Sequence, residues 1–311
     1  MRLRHLSPAL ASAALLLAAC DPNVVIGAKW RVGEADAAGT SSGGGGEDTG
    51  GSAGSGGTGA GGTDAPGTGG TTSLDGGAAG QAGADGTIFF QADHEADDTL
   101  GIWDEGPDMD AGGYYADSDP PIYSDAQPHS GLGSAEVTID SSDGGGTGTI
   151  SRLYRRVENE SAYYSAWFFL NEDHTPSEWW SIFLFRARRD RADSLDLWSL
   201  NLIRVEDEDR LSISLYDHQR GDILGVPSLP TIPVREWFHL EAFLEFAQDQ
   251  PSRLDLWLNG AQVLSQPDLV EIPENEPVYW VIGNGGSLLA PPVSTIYIDD
   301  AIVSTARVGI D

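Results

Sequence analysis

The apolar positions of this chain fall into short runs that alternate with polar ones at every second residue, the period of a pleated strand. Residues 135–139, 151–157, 211–215 and 253–258 alternate cleanly. Residues 87–91 open this region and residues 296–303 close it in the same way. Two further runs, 163–170 and 179–186, are aromatic-rich and almost continuous. Runs of that kind suit central strands covered on both faces. Asn259-Gly260, directly after the 253–258 run, predicts a tight hairpin turn. No segment carries a long, capped helical period. The pattern predicts one all-β domain over residues 87–311, a sandwich or barrel of antiparallel strands.

The same alternation assigns faces. In residues 237–246, Phe238, Leu240, Ala242, Leu244 and Phe246 share one side, and Trp237, His239, Glu241, Phe243 and Glu245 the other. In the next run Leu254, Leu256 and Leu258 oppose Asp255 and Trp257. With the aliphatic sets turned inward, Trp237, His239, Glu241 and Trp257 look outward. Arg152, Tyr154 and Arg156 share one face of their own strand.

Composition shifts before residue 87. Residues 39–86 are glycine, serine, threonine and alanine with scattered aspartate and almost no large apolar side chain. Such a segment cannot bury enough surface to offset the entropy of ordering, so it predicts a disordered tether with a reach of roughly 40 Å. At the start, Arg2 and Arg4 precede an apolar stretch, residues 9–19, which ends in Leu17-Ala18-Ala19 before Cys20, the only cysteine. This is the layout of an export signal, and it is too short to span a bilayer. Leu-Ala-Ala-Cys resembles the lipobox of bacterial lipoproteins. The resemblance implies cleavage before Cys20, a diacylglyceryl group on its sulfur and an acylated amino end. Two or more acyl chains hold a protein stably to a membrane where one does not. The chain then divides into a signal peptide (1–19), a lipidated N-terminus with a disordered linker (20–86) and the β domain (87–311). The implied location is the bacterial cell envelope, with Cys20 in the membrane. Asp21 resembles the inner-membrane retention signal of enteric bacteria, which other groups do not obey, so membrane and leaflet stay open.

Charge narrows the partners. Asp and Glu number 48 against 17 Lys and Arg, a net charge of −31, and Lys29 is the one lysine. The general surface repels nucleic acid and anionic headgroups. With Cys20 lipidated, the mature chain has no disulfide and depends on its core.

The strand order resembles the concanavalin A-like lectin/glucanase superfamily, nearest to jelly rolls related to polysaccharide lyases and laminin-G-like modules. The residues that carry it are Phe90-Gln91-Ala92-Asp93-His94-Glu95, Tyr163 to Phe168, Trp179 to Phe183, Trp237 to Glu241, Leu256-Trp257-Leu258-Asn259-Gly260 and Ile296 to Asp300. The resemblance implies a two-sheet antiparallel jelly-roll sandwich. Such a fold hosts lectins, hydrolases, lyases and inert modules, so activity must be argued from a site.

Aromatic rings stack on the C–H faces of sugars, and charged side chains orient hydroxyls. Trp257, Trp237, Arg152, Arg156 and Glu241 are therefore the candidate ligand-binding residues, with polysaccharide as the expected partner. Guanidinium forks pair carboxylates, which favours an acidic glycan. Arg186, Arg188, Arg189 and Arg191 add to the arginine content, although Arg188 to Arg191 also offset neighbouring aspartates. The Glu-x-Asp-x-x-Glu string of the superfamily's glucanases is missing, and so is the Gln-x-His of its alginate lyases. A lyase constellation can still be assembled, with His239 as base, Tyr154 as acid and Arg152 neutralising a uronate. That leaves carbohydrate binding as the leading expectation. A uronate-specific lyase and a non-catalytic partner-binding lipoprotein stand as alternatives. The resemblance also implies a structural calcium beside the first and last strands, with Glu95 and Asp300 as the preferred pair. Residues 108–119 imitate a calcium loop with the wrong spacing, and no His or Cys cluster suggests zinc. The oligomeric state is open.

Overall fold

The computed structural model describes residues 86–95, 99–103, 114–117, 119–142, 148–157, 161–187, 195–205, 208–224, 230–247, 251–269, 272 and 276–310. The signal peptide, Cys20, nearly all of the linker, Asp97, Asp98, residues 108–113 and Arg188 to Arg191 lie outside them. Among the described residues, apart from one short turn of helix at Thr99–Ile102, every regular element is a strand. In chain order these are β1 (Ile88–Ala92), β2 (Tyr114–Ala116), β3 (Ile122–Ser124), β4 (Ser134–Asp140), β5 (Thr149–Arg156), β6 (Ala162–Leu170), β7 (Thr175–Ala187) and β8 (Leu195–Val205). Then follow β9 (Arg210–Asp217), β10 (Asp222–Leu224), β11 (Trp237–Glu245), β12 (Ser252–Leu258), β13 (Ala261–Leu269), β14 (Val278–Ala290) and β15 (Val293–Ser304).

All pairings are antiparallel. A larger sheet of eight strands runs β13-β12-β11-β6-β15-β4-β3, with β1 joined to β15, and a smaller sheet of seven runs β10-β9-β8-β7-β14-β5-β2. The two aromatic-rich runs are β6 and β7, each at the middle of its sheet. The first and last strands pair, Ile88 opposite Ser304. The Asn259-Gly260 turn joins β12 to β13, both residues at positive φ (47° and 76°), as a turn of that type requires.

One core lies between the sheets. Phe238, Leu240, Ala242 and Leu244 of β11 and Leu254, Leu256 and Leu258 of β12 all belong to it, as the alternation predicts. Trp103, Trp180, Trp198 and Trp280 are fully buried there, and Trp280 meets Tyr164 across the layers with ring centroids 5.6 Å apart. The most connected polar group in the core is Asn284 of β14. Its Oδ1 accepts from Trp180 Nε1 (2.9 Å), and its Nδ2 donates to Ser294 O (2.9 Å) and Oγ (3.1 Å) on β15 and more weakly to Val137 O (3.4 Å) on β4. This amide ties the smaller sheet to the larger one.

Candidate functional site

The outer face of the smaller sheet gathers the polar chemistry. Inward residues of β5, β7, β8, β9 and β14 fill the core, so the alternate ones face away. Cross-strand register sorts these outward side chains into three rows. The first runs Arg152, Gly283, Gly285, Ser181, Asn201 and Ser214. The second runs Tyr154, Val281, Leu184, Ser199 and Tyr216. The third runs Arg156, Tyr279, Arg186 and Asp196, with His218 bonded through its backbone to Leu197 beside it. Tyr154, Leu184, Tyr279 and Val281 form an apolar patch of their own in the middle.

The first row depends on glycine. Between Ile282 and Gly285 β14 bulges against β7. Gly283 sits at φ 152°, and a Cβ there would lie 2.4 Å from Ser151 O. A Cβ on Gly285 would lie 2.8 Å from an Arg152 guanidinium nitrogen. The bare backbone lets the Arg152 side chain lie flat across β14 and donate from Nη2 to Ser181 Oγ on β7 at 2.6 Å. Gly285→Ala is expected to push the guanidinium off this track, because the side-chain end moves more easily than the strand. Loss of the Arg152–Ser181 contact in a crystal structure, with the melting temperature within a few degrees of wild type, would confirm it.

Arg152 is 4% exposed. Among the described residues no carboxylate comes within ion-pair distance of it. The carboxylate that bears on it, Asp196, is already paired with Arg186 Nε. Burial lowers the Arg152 pKa, and the charge of Arg186 lowers it further. Burial alone would raise the pKa of Asp196, but the charge of Arg186 and its hydrogen bond outweigh it and hold the carboxyl below the usual range. Arg186 Nη1 also donates to the Tyr154 hydroxyl at 3.2 Å, which leaves the phenol proton free to be given elsewhere. His218 Nε2 lies 2.9 Å from Ser199 Oγ. Burial, and then Arg186 and Arg152, hold its pKa below the ordinary 6.5 against the pull of Asp196. The imidazole is neutral at pH 7.

The structure divides the candidate residues between two opposite surfaces. Arg152, Tyr154 and Arg156 share the smaller sheet's outer face as expected, with Arg156 exposed at its rim. Trp237, His239, Glu241 and Trp257 face outward from the larger sheet, so they cannot join the arginines in one site. Nor are Trp257 and Glu241 open to solvent. Residues 304–310 run over them: Arg307 lies 4.5 Å above the Trp257 ring and donates to Glu241 Oε2 (2.9 Å), while Val308 N donates to Glu241 Oε1 (2.6 Å). Trp257 is 8% exposed and Glu241 0%. His239 is buried beside Trp167 at 5.1 Å between centroids, and His129 stacks on the same indole at 3.9 Å. The lyase trio of His239, Tyr154 and Arg152 is therefore corrected: the histidine on the face of Tyr154 and Arg152 is His218. Alternation could not find it, because His218 follows the last residue of β9. The Asp196 that pairs Arg186 was visible only as one acid among many.

His239 has a measurable consequence. Burial first, then His129 and Arg307, depress its pKa from the ordinary 6.5 to about 4. The unfolded chain thus binds the extra proton between those values. The contribution to stability is complete above pH 6.5 and is lost as pH falls towards 4. Thermal melts of wild type and His239→Gln between pH 4 and 7 are expected to converge at the acid end. Parallel curves would show that another group carries the dependence.

Glu95 feels the charge of Asp300, which adds a little to the upward shift that burial gives its pKa, and Asp300 lies in a bulge where β15 departs from its register with β6. Their oxygens are turned to the loop at 129–132. Glu95 Oε2 accepts from Leu132 N (2.7 Å), Asp300 Oδ1 from Ser130 Oγ (3.0 Å), Asp300 Oδ2 faces His129 Nδ1 (2.7 Å), and Asp299 Oδ2 accepts from His129 N (3.0 Å). Among the described residues no three His, Cys, Asp or Glu side chains gather as a metal site. Calcium there would have to displace these bonds.

No family model matches the chain. No curated protein matches it either. Solved structures do. The chain is similar to an endo-β-1,4-glucuronan lyase from the fungus Trichoderma reesei, with a TM-score of 0.50 and 16% identity over 71% of this chain and 96% of that one. The carbohydrate esterase vb_24B_21 from Shiga toxin-encoding bacteriophage phi24B gives a TM-score of 0.45 and 12% identity over 71% of this chain and 100% of that one. The alginate lyase Aly36B, solved with an alginate trisaccharide, gives 0.40 and 16% over 60% and 85%. At these identities the likeness is one of fold: a jelly-roll sandwich of a kind found in carbohydrate-active proteins.

Proposed function

We propose that this protein is a cell-envelope lipoprotein, held by lipid on Cys20, whose β-sandwich binds an acidic polysaccharide on the outer face of the smaller sheet. The observation that carries the reading is Arg152. A guanidinium buried without a carboxylate is costly, and a bound carboxylate would relieve that cost with a two-pronged hydrogen bond. Arg186 and Tyr154 stand beside it to complete the subsite, and the fold shared with the glucuronan lyase agrees with a uronate as ligand. Affinity electrophoresis against alginate, polygalacturonate and glucuronan tests it. Retardation that Arg152→Ala abolishes is expected, and equal retardation of wild type and variant would refute the site.

A second reading adds catalysis. The Tyr154 hydroxyl accepts from Arg186 and keeps its proton to give, while neutral His218 lies on the same face. In a β-elimination His218 would take the C5 proton of the uronate, the electron pair would form the C4–C5 double bond, and Tyr154 would protonate the departing oxygen. Ultraviolet absorbance from an unsaturated uronate, lost in Tyr154→Phe, is the expected sign. Silence across the panel with binding intact would leave a lectin-like module.

A further inference from the structure

The site's cationic end is short, and the rest of its floor is neutral. Arg152 and Arg186 occupy β5 and β7, and Arg186 already has Asp196. Beyond them, between Asp196 at one end of β8 and Arg210 at the start of β9, the middle of the face carries Ser199 and Asn201 of β8 and Ser212 and Ser214 of β9, all buried, with the half-buried Tyr216 beside them. Ser212 and Ser214 Oγ have no hydrogen-bond partner among the described residues. Among the described residues the Asn201 amide N–H groups donate to nothing; its Oδ1 takes only a long bond, 3.5 Å, from Ser199. Buried hydroxyls without partners are rare, and a hydroxyl suits a ligand group that both donates and accepts, while the Asn201 amide can donate to such a group. A sugar hydroxyl does both, whereas a carboxylate only accepts. The far edge is also hostile to a second anion, since Asp217 and Asp222 lie close enough to Tyr216 to add to the upward shift that burial gives its pKa.

Resting on the uronate subsite above, we infer that the ligand is a heteropolymer with widely spaced carboxylates. One acidic residue sits over β5 and β14, and neutral residues follow over β7, β8 and β9. A chain crossing the strands at right angles meets a new strand about every 4.8 Å, close to the length of a pyranose. The first row then offers Arg152 to the acid and Ser181, Asn201 and Ser214 to the hydroxyls of the neutral units. A densely charged polyuronate would place further carboxylates over groups that bring no positive charge, on a chain of net charge −31.

The test is calorimetry on the folded wild type with three probes: polygalacturonate, its carboxyl-reduced form, and a soluble heteropolymer with one glucuronate in each repeating unit. Two or three hydrogen bonds to neutral sugars predict that the heteropolymer binds about tenfold tighter per carboxylate than polygalacturonate. The Asn201→Ala/Ser214→Ala double variant, checked for an unchanged melting temperature, is expected to erase that preference and still bind polygalacturonate. If the variant loses its fold, fragments of the heteropolymer with the neutral residues removed make the same comparison on wild type. Equal affinity for the two acidic polymers, or a preference that survives both tests, overturns the spacing while the Arg152 site stands. Binding that is indifferent to Arg152→Ala, or strongest to the carboxyl-reduced polymer, overturns both readings.

Discussion

Arg152→Met is expected to abolish binding of acidic polysaccharide and at the same time to stabilise the protein. The two effects have one cause. In the free protein the Arg152 guanidinium is buried and pressed by the charge of Arg186, which its hydrogen bonds to Ser181 and Tyr154 and the charge of Asp196 offset only in part. Replacing a poorly compensated buried charge by an apolar side chain of similar length is often favourable, here by about 1 kcal/mol. For a domain of this size that raises the melting temperature by about 2–4 °C. The same charge is what a carboxylate would meet, so binding should weaken about 100-fold or more. Differential scanning fluorimetry and affinity electrophoresis on one preparation read both. A lower melting temperature with unchanged binding would make Arg152 a structural residue and remove the site.

The second large effect is expected at Asn284. Its side chain is buried between the sheets and hydrogen-bonded to Trp180, Ser294 and Val137. Asn284→Leu keeps the volume but strands the Trp180 indole N–H and the Ser294 hydroxyl. Two buried groups left without partners cost about 3 kcal/mol, or roughly 10 °C in melting temperature. Because Asn284 pins the bulge of β14, the variant should also disturb the outward pair Gly283 and Gly285, on which the Arg152 track depends. Chemical denaturation gives the first quantity and polymer binding the second. A loss below about 1 kcal/mol would mean that water replaces the amide.

Glycine explains why part of the site was hard to see in advance. In residues 278–290, Gly283, Gly285 and Gly286 interrupt any apolar alternation, yet β14 is an inner strand of the smaller sheet. Glycine weakens a strand by itself but suits a bulge and the close passage of another side chain. Its place there is set by Arg152, on a neighbouring strand and far away in sequence. Likewise β8 supplies Asp196, Ser199 and Asn201, and its run of mixed apolar and polar residues announces none of these roles.

Period-two alternation by itself determined which side of each strand turns to the core, from Phe238 to Leu258, and with it the sandwich. It determined too that Arg152, Tyr154 and Arg156 would lie together, since residues on one strand share a face whatever surrounds them. Which sheet a strand enters was decided only by tertiary pairing, whose partners are tens to hundreds of residues apart. So was the covering of Trp257 and Glu241 by residues 304–310. Local side-chain order fixes the direction of a group; only the packed chain decides what stands opposite it.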